Sequence, residues 1–238
     1  MRTRGKIHTV PVFLLACLLL GALTGCAGIA GGHRPAPGSP GRAQLEQLLA
    51  AVRVVPHRPH AGGYERDCGS GQGCVFGPAW SDDHDGPGGH DGCDTRNNVL
   101  ARQLTEVAYR PGTRNCVVQS GALADPYTGA RIVFDRRTAQ QMPVDHIYPL
   151  AAAWDMGAAV WTPTQRIRFA NDIEYNLQVT DRATNTAKSD STPAHWLPPS
   201  RPGHCYYAGR YLTVALRYQL PVTAADHGVL RAIAARCG

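Results

Sequence analysis

Lysine is nearly missing from this chain. Of 238 residues only Lys6 and Lys188 are lysines, and every other cation is arginine. The wealth of Ala, Gly and Pro points to a coding bias toward arginine. Lys188 nevertheless marks a position where an arginine fork would not fit, since the two side chains differ in shape and hydration. No Cys-x-x-Cys pair occurs, which argues against a zinc site. No apolar run is long enough for a comfortable membrane span. No stretch completes a calcium loop. Asp82-Asp83-His84-Asp85-Gly86 and His90-Asp91 therefore read as a polar surface loop ahead of metal ligands. Neither sign of charge dominates. The net charge of +6 falls to +3 once Arg2, Arg4 and Lys6 leave with a leader. That mild excess is compatible with a nucleic-acid partner without arguing for one.

What is present begins with that leader. Residues 1–25 combine a basic start with the apolar run Thr9 to Leu23, followed by small residues, as in a cleaved export signal. The run ends Leu23-Thr24-Gly25-Cys26, which resembles the lipobox of bacterial lipoproteins. Cys26 is then the lipidated first residue of the mature chain. It would hold the protein at the outer face of the cell membrane through acyl chains and not through a spanning helix. An ordinary secretory signal with a chance cysteine is the alternative.

Six further cysteines remain: Cys68, Cys74, Cys93, Cys116, Cys205 and Cys237. An even number in an exported chain reads as disulfides. Sequence order and the expected elements favour Cys68–Cys74, Cys93–Cys116 and Cys205–Cys237.

Residues 26–63 read as a tether with one short helix. Ala27 to Pro40 is Gly-, Ala- and Pro-rich. Leu45, Leu48, Leu49 and Val52 recur at helical spacing within Gly41 to Val55, and Pro56 to Gly63 is again linker-like. Residues 64–238 then form one domain of normal size. A helix is expected from Asn97, with Asp94-Thr95 near its start. Arg96 and Asn97 either face phosphates or support the fold. Cys116 to Gly121 and Arg131 to Phe134 read as a short β-hairpin around the turn Asp125-Pro126-Tyr127-Thr128-Gly129. Pro143 to Ile147 and Asn176 to Thr180 read as two more strands, separated by a helical insert with Thr162-Pro163 as a helix start. Helices follow over Asp181 to Ser189, Tyr206 to Tyr218 and Ala224 to Arg236. Trp154, Trp161 and Trp196 are expected in the core.

The chemistry concentrates in Val144-Asp145-His146-Ile147-Tyr148-Pro149, in Asn176, and in Asn185-Thr186-Ala187-Lys188-Ser189-Asp190. Cutting a phosphodiester needs an activated water, positive charge on the phosphate oxygens and help for the leaving oxygen. His146 can take a proton from water. Asp145 and Asn185 offer hard oxygens suited to Mg²⁺. Asn185 and Lys188 share one helix face.

Asp-His-Ile-x-Pro, Asn-Leu and Asn-x-x-Lys-Ser-Asp resemble the HNH, or ββα-metal, endonucleases in the branch whose last His is an Asn. Cys93-Asp94-Thr95-Arg96-Asn97, the Ser120 to Gly129 turn, Phe169-Ala170-Asn171-Asp172 and Trp196-Leu197-Pro198-Pro199 extend the likeness to secreted HNH proteins and the GmrSD-type C-terminal domain. The resemblance implies an α+β fold: a ββα-metal core with a hairpin, a helical insert, flanking C-terminal helices and disulfide staples. It implies His146 as general base, Asp145 and Asn185 as ligands of Mg²⁺ or Mn²⁺, and Asn176 as support of the base. Lys188 would contact phosphate or hold the helix. The expected function is an exported metal-dependent endonuclease acting on DNA, with RNA as a further substrate and no obligate protein partner. The competing reading is a surface lipoprotein that uses the fold only to bind.

Overall fold

The computed structural model describes residues 35–67 and 74–238. The expected leader, Cys26 and Cys68 lie outside the described residues, and with Cys68 its expected bond to Cys74.

The first helix, α1 (Arg42–Ala51), turns Leu45 and Leu49 inward. Strand β1 (Val54–Val55) then pairs in parallel with β7 (Val222–Thr223). Residues 56–63, expected as linker, instead lie against the domain. Arg58 Nε donates to Asp155 Oδ2 at 2.6 Å, the Ala61 amide donates to Asp155 Oδ1 at 2.9 Å, and Trp154 Nε1 donates to the Gly62 carbonyl at 3.1 Å. These contacts use backbone groups and one charged side chain. No apolar period announces contacts of that kind. The compact unit therefore starts ahead of Tyr64.

The acidic loop folds on itself. Asp82 accepts from the amides of Asp91 and Gly92, Asp91 accepts from the Cys93 amide, and buried His84 accepts from the Gly86 amide. Among the described residues no group of three His, Cys, Asp or Glu is placed to hold a metal ion. Asp94 caps α2 (Thr95–Gln103) by accepting from the Asn97 amide. Arg96 donates to the carbonyls of Ala139 and Met142, and Asn97 Oδ1 accepts from the Val118 amide and Arg136. Of the two roles open to Arg96 and Asn97, fold support is the one these bonds serve.

Strands β2 (Thr105–Tyr109), β3 (Val118–Ala124) and β4 (Arg131–Asp135) form an antiparallel sheet in the order β2-β3-β4. The expected hairpin is β3–β4, and β2 is an addition to it. The Cys93–Cys116 disulfide ties the loop before α2 to the chain entering β3, with Cα atoms 5.1 Å apart.

Strand β5 (Val144–His146) pairs antiparallel with β6 (Leu177–Val179), placing His146 opposite Leu177. Between them lie α3 (Leu150–Asp155), a short 3₁₀ turn and α4 (Pro163–Ala170). A capping box of Thr162 and Gln165 starts α4. Asp181 caps α5 (Arg182–Lys188), which follows β6 directly. Last come α6 (Gly203–Arg217) and α7 (Ala224–Ala234), where Thr223 and Asp226 form a second capping box. The expected Cys205–Cys237 disulfide joins the start of α6 to the end of α7. Such a link typically contributes about 2–4 kcal/mol.

Two hydrophobic clusters fill the domain. One is aromatic and gathers α1, α3, α4, α6 and α7 around Tyr148, Phe169, Tyr207 and Tyr211, with Trp154 buried and Trp161 and Trp196 packed at its edge. The other joins α2, β3, β4, β5 and β6 through Leu100, Phe134, Val144 and Leu177. Val144 belongs to the second cluster, whereas Ile147 and Tyr148 belong to the first. Asp145 and His146 therefore sit where one core gives way to the other.

Candidate active site

Successive strand residues face opposite ways, and β5 uses this. Asp145 turns toward α5. Lys188 Nζ donates to Asp145 Oδ1 at 2.8 Å and to the His146 carbonyl at 2.8 Å. The Lys188 side chain is 0% exposed and that of Asp145 4%. The other carboxylate oxygen, Asp145 Oδ2, accepts from the Tyr127 hydroxyl at 3.0 Å. Tyr127 is fully buried, and burial followed by the nearby Asp145 charge pushes its phenol well above the ordinary range, so it stays a donor. Tyr127 is itself held by Asp125, which accepts from the Tyr127 amide, from Thr128 Oγ1 and from Thr180 Oγ1. Burial raises the Asp125 carboxyl above its usual range despite these donors.

His146 turns the other way, toward the end of α4. Its Nε2 lies 2.9 Å from the Ala170 carbonyl. A carbonyl only accepts, so Nε2 carries the proton in a neutral ring and Nδ1 is left with its lone pair. Desolvation lowers the His146 pKa from 6.5 to about 4, against the opposing pull of the Ala170 carbonyl and Asp145. The imidazole is neutral at physiological pH. In metal-free protein, its Cε1 proton resonance is expected to titrate near pH 4. A midpoint at the ordinary value would show that the ring is not desolvated.

Asn176 holds the chain just beyond the histidine. Its carbonyl accepts from the Ile147 amide at 2.8 Å and its Oδ1 accepts from the Tyr148 amide at 2.9 Å. Fully buried, it fixes how the chain leaves β5 and so where the imidazole points.

A cavity of about 410 Å³ is lined by Asp145, His146 and Asn185, with Arg66, Tyr64 and Asp190 on its walls. Asn185 is half-buried, and no hydrogen bond engages its side-chain amide among the described residues. The five expected site residues thus divide. Asp145, His146 and Asn185 meet at the cavity, while Asn176 and Lys188 brace it from inside the protein. Lys188 is fully buried, and its ammonium ties the end of α5 to Asp145 and to the His146 carbonyl of β5. Two contributors were not expected at the site. Tyr127 belongs to the Ser120 to Gly129 stretch of the family likeness but reads there as turn chemistry, and Arg66 lies in a loop without any motif.

The profile of the GmrSD restriction endonucleases, C-terminal domain, matches residues 94–233. This chain belongs to that family. The GmrSD C-terminal match runs from the Asp94 cap into α7 and takes in β5, β6 and α5, but leaves out Arg66 and the loop before Asp94. A protein of Arthroderma benhamiae described as an uncharacterized secreted protein is 33% identical over 203 residues, 84% of this chain and 88% of that one. No solved structure matches.

Proposed function

We propose that this chain is an exported, metal-dependent endonuclease of the HNH, or ββα-metal, kind that hydrolyses phosphodiester bonds in DNA. The observation that carries the reading is the meeting of Asp145, His146 and Asn185 on one cavity, contributed by the β5–β6–α5 succession. The family match supports it.

The donor set suits a small hard cation. An ionised carboxylate has about four lone-pair sites, and Lys188 and Tyr127 use two of those on Asp145. Among the described residues, nothing engages the Asn185 amide oxygen. Mg²⁺ usually takes one or two protein carboxylates, with waters and phosphate completing its shell. Asp145 and Asn185 would hold Mg²⁺ or Mn²⁺, which when bound supplies Lewis-acid stabilisation of the phosphate and of the leaving 3′ oxygen.

The chain's own residues do the rest. His146 Nδ1 accepts a proton from water, and the resulting oxygen attacks phosphorus in line while the bond to the 3′ oxygen breaks. The Ala170 carbonyl keeps the proton on Nε2, so the lone pair stays on Nδ1. Lys188 and Tyr127 hold the Asp145 carboxylate still. Arg66, on the cavity wall, adds positive charge where the phosphate would lie.

An extracytoplasmic setting, tethered by a lipid on Cys26, follows from the leader and the Leu23-Thr24-Gly25-Cys26 run. The two disulfides accord with an oxidising compartment. The test is cleavage of plasmid and single-stranded DNA by the mature domain in Mg²⁺ or Mn²⁺. EDTA is expected to stop it and added metal to restore it. Cleavage that persists in EDTA would sink the metal-dependent mechanism.

A further inference from the structure

A second, smaller cavity of about 150 Å³ lies on the other side of His146. The two cavities share His146, Arg66 and Leu150. The catalytic one is polar in its donors. This one is walled by Phe76, Pro78, Trp80 and Leu150. An apolar cavity of about this size holds one benzene ring. The Trp80 indole lies within 9° of parallel to the His146 imidazole, with centroids 6.4 Å apart. Trp80 is only half-buried and sits at φ +59°. A bulky residue there is a backbone outlier, and such strain gathers at ligand clamps. The loop that carries Trp80 is pressed onto α4 at Gly77, where a side-chain carbon would fall 2.5 Å from Ile167 Cγ1.

The lining also contains Asn171, which is 1% exposed. Its Nδ2 donates to the Ile167 carbonyl at 2.9 Å, but its Oδ1 is buried without a hydrogen-bond partner. A buried acceptor with no donor is costly and calls for an explanation. The N–H edge of a heterocycle is a donor of the missing kind.

We propose that this slot receives one unpaired pyrimidine base next to the scissile phosphate, stacked on Trp80, so that the preferred substrate is single-stranded or locally opened nucleic acid. The inference rests on the nuclease reading above and adds the substrate class. One planar six-membered ring matches the volume. Arg66 lies between the base slot and the phosphate cavity, where a nucleotide spanning both would place its charge. A base in a duplex would have to leave its stack to enter, which sets single strands ahead of duplexes. Trp80 lies outside the residues matched to the GmrSD C-terminal domain, so the stacking wall is supplied by this chain's own loop.

The test uses the mature protein in two arms. In EDTA, where no cleavage occurs, deoxycytidine and thymidine are titrated against the protein and followed by saturation-transfer NMR, with deoxyadenosine and deoxyguanosine as controls. In Mg²⁺ or Mn²⁺, single-stranded oligonucleotides of DNA and RNA are cleaved with a pyrimidine, a purine or an abasic residue beside the cut site. Pyrimidine nucleosides are expected to bind more tightly than purines. An abasic residue, or Trp80→Ala, is expected to raise KM by roughly 5- to 150-fold. Trp80→Phe keeps a ring and is expected to recover most of the loss, which separates stacking from misfolding. Cleavage indifferent to base removal and to Trp80→Ala overturns the slot and leaves the nuclease reading standing. Pyrimidine binding weakened by Trp80→Ala, with no cleavage under any divalent metal, sustains the slot and defeats the nuclease reading.

Discussion

Replacing His146 with Ala is expected to slow DNA cleavage by roughly 10²–10⁴-fold, the usual contribution of a positioned general base. The proposed base is held in one tautomer. Its Nε2 proton is committed to the Ala170 carbonyl, and its pKa near 4 keeps it neutral at physiological pH. The backbone around it is held independently, because Asn176 bonds the Ile147 and Tyr148 amides. Removing the ring should therefore leave the fold intact. Its one hydrogen bond is worth about 1 kcal/mol. The measurement is initial cleavage rate at saturating Mg²⁺, with thermal midpoint and intact disulfides as folding controls. A variant that folds and still cuts within a factor of a few of wild type would remove His146 from the role of base.

Loss of the Lys188 ammonium is expected to be the most destabilising change in the site. Lys188→Met leaves the Asp145 carboxylate buried with the Tyr127 hydroxyl as its remaining side-chain donor among the described residues. Breaking a buried pair from one side costs about 3–5 kcal/mol. Removing both charges together, Lys188→Met with Asp145→Leu, should recover much of that loss, because an apolar pair of similar volume is often neutral or better. Urea unfolding of the four proteins of this cycle gives the coupling directly. Additive effects would mean that the 2.8 Å pair stabilises nothing. Lys188→Arg is the informative conservative change. The ammonium serves two acceptors from a fully buried position, and a planar fork differs from it in shape and hydration, so Lys188→Arg is expected to destabilise the fold in the same urea measurement.

The elements that carry the site were legible almost to the residue. β5, β6 and α5 fall within a residue or two of the expected limits, since β-branched runs, Asp181 and the Ser-Thr-Pro stop are local signals. Asn185 and Lys188 were expected on one helix face, but Asn185 lines the cavity whereas Lys188 is buried inside the protein. The features without a local signal depend on distant partners. β2 exposes most of its side chains and so shows no clear apolar alternation. Tyr127 reaches Asp145 across 18 residues of sequence, a link no spacing rule encodes. The docking of residues 56–63 is made of polar and backbone bonds, which look like linker in sequence. The Trp80 loop is Gly-rich and Pro-bearing, and reads as punctuation until the fold brings it over His146.

The pairing of α1 and β1 with the C-terminal elements governs when this protein can be finished. Leu45 and Leu49 of α1 complete the aromatic cluster of α6 and α7, and β1 finds its partner only in Val222–Thr223. The layer therefore closes late, after residues 203–237 have emerged, through contacts of very long sequence separation that are slow to form. A chain that stays open this long is suited to crossing a membrane as an extended polypeptide. The Cys205–Cys237 bond joins the two helices of this same layer, so under the export proposed above, closing the layer and oxidising the pair would both fall on the oxidising side of the membrane.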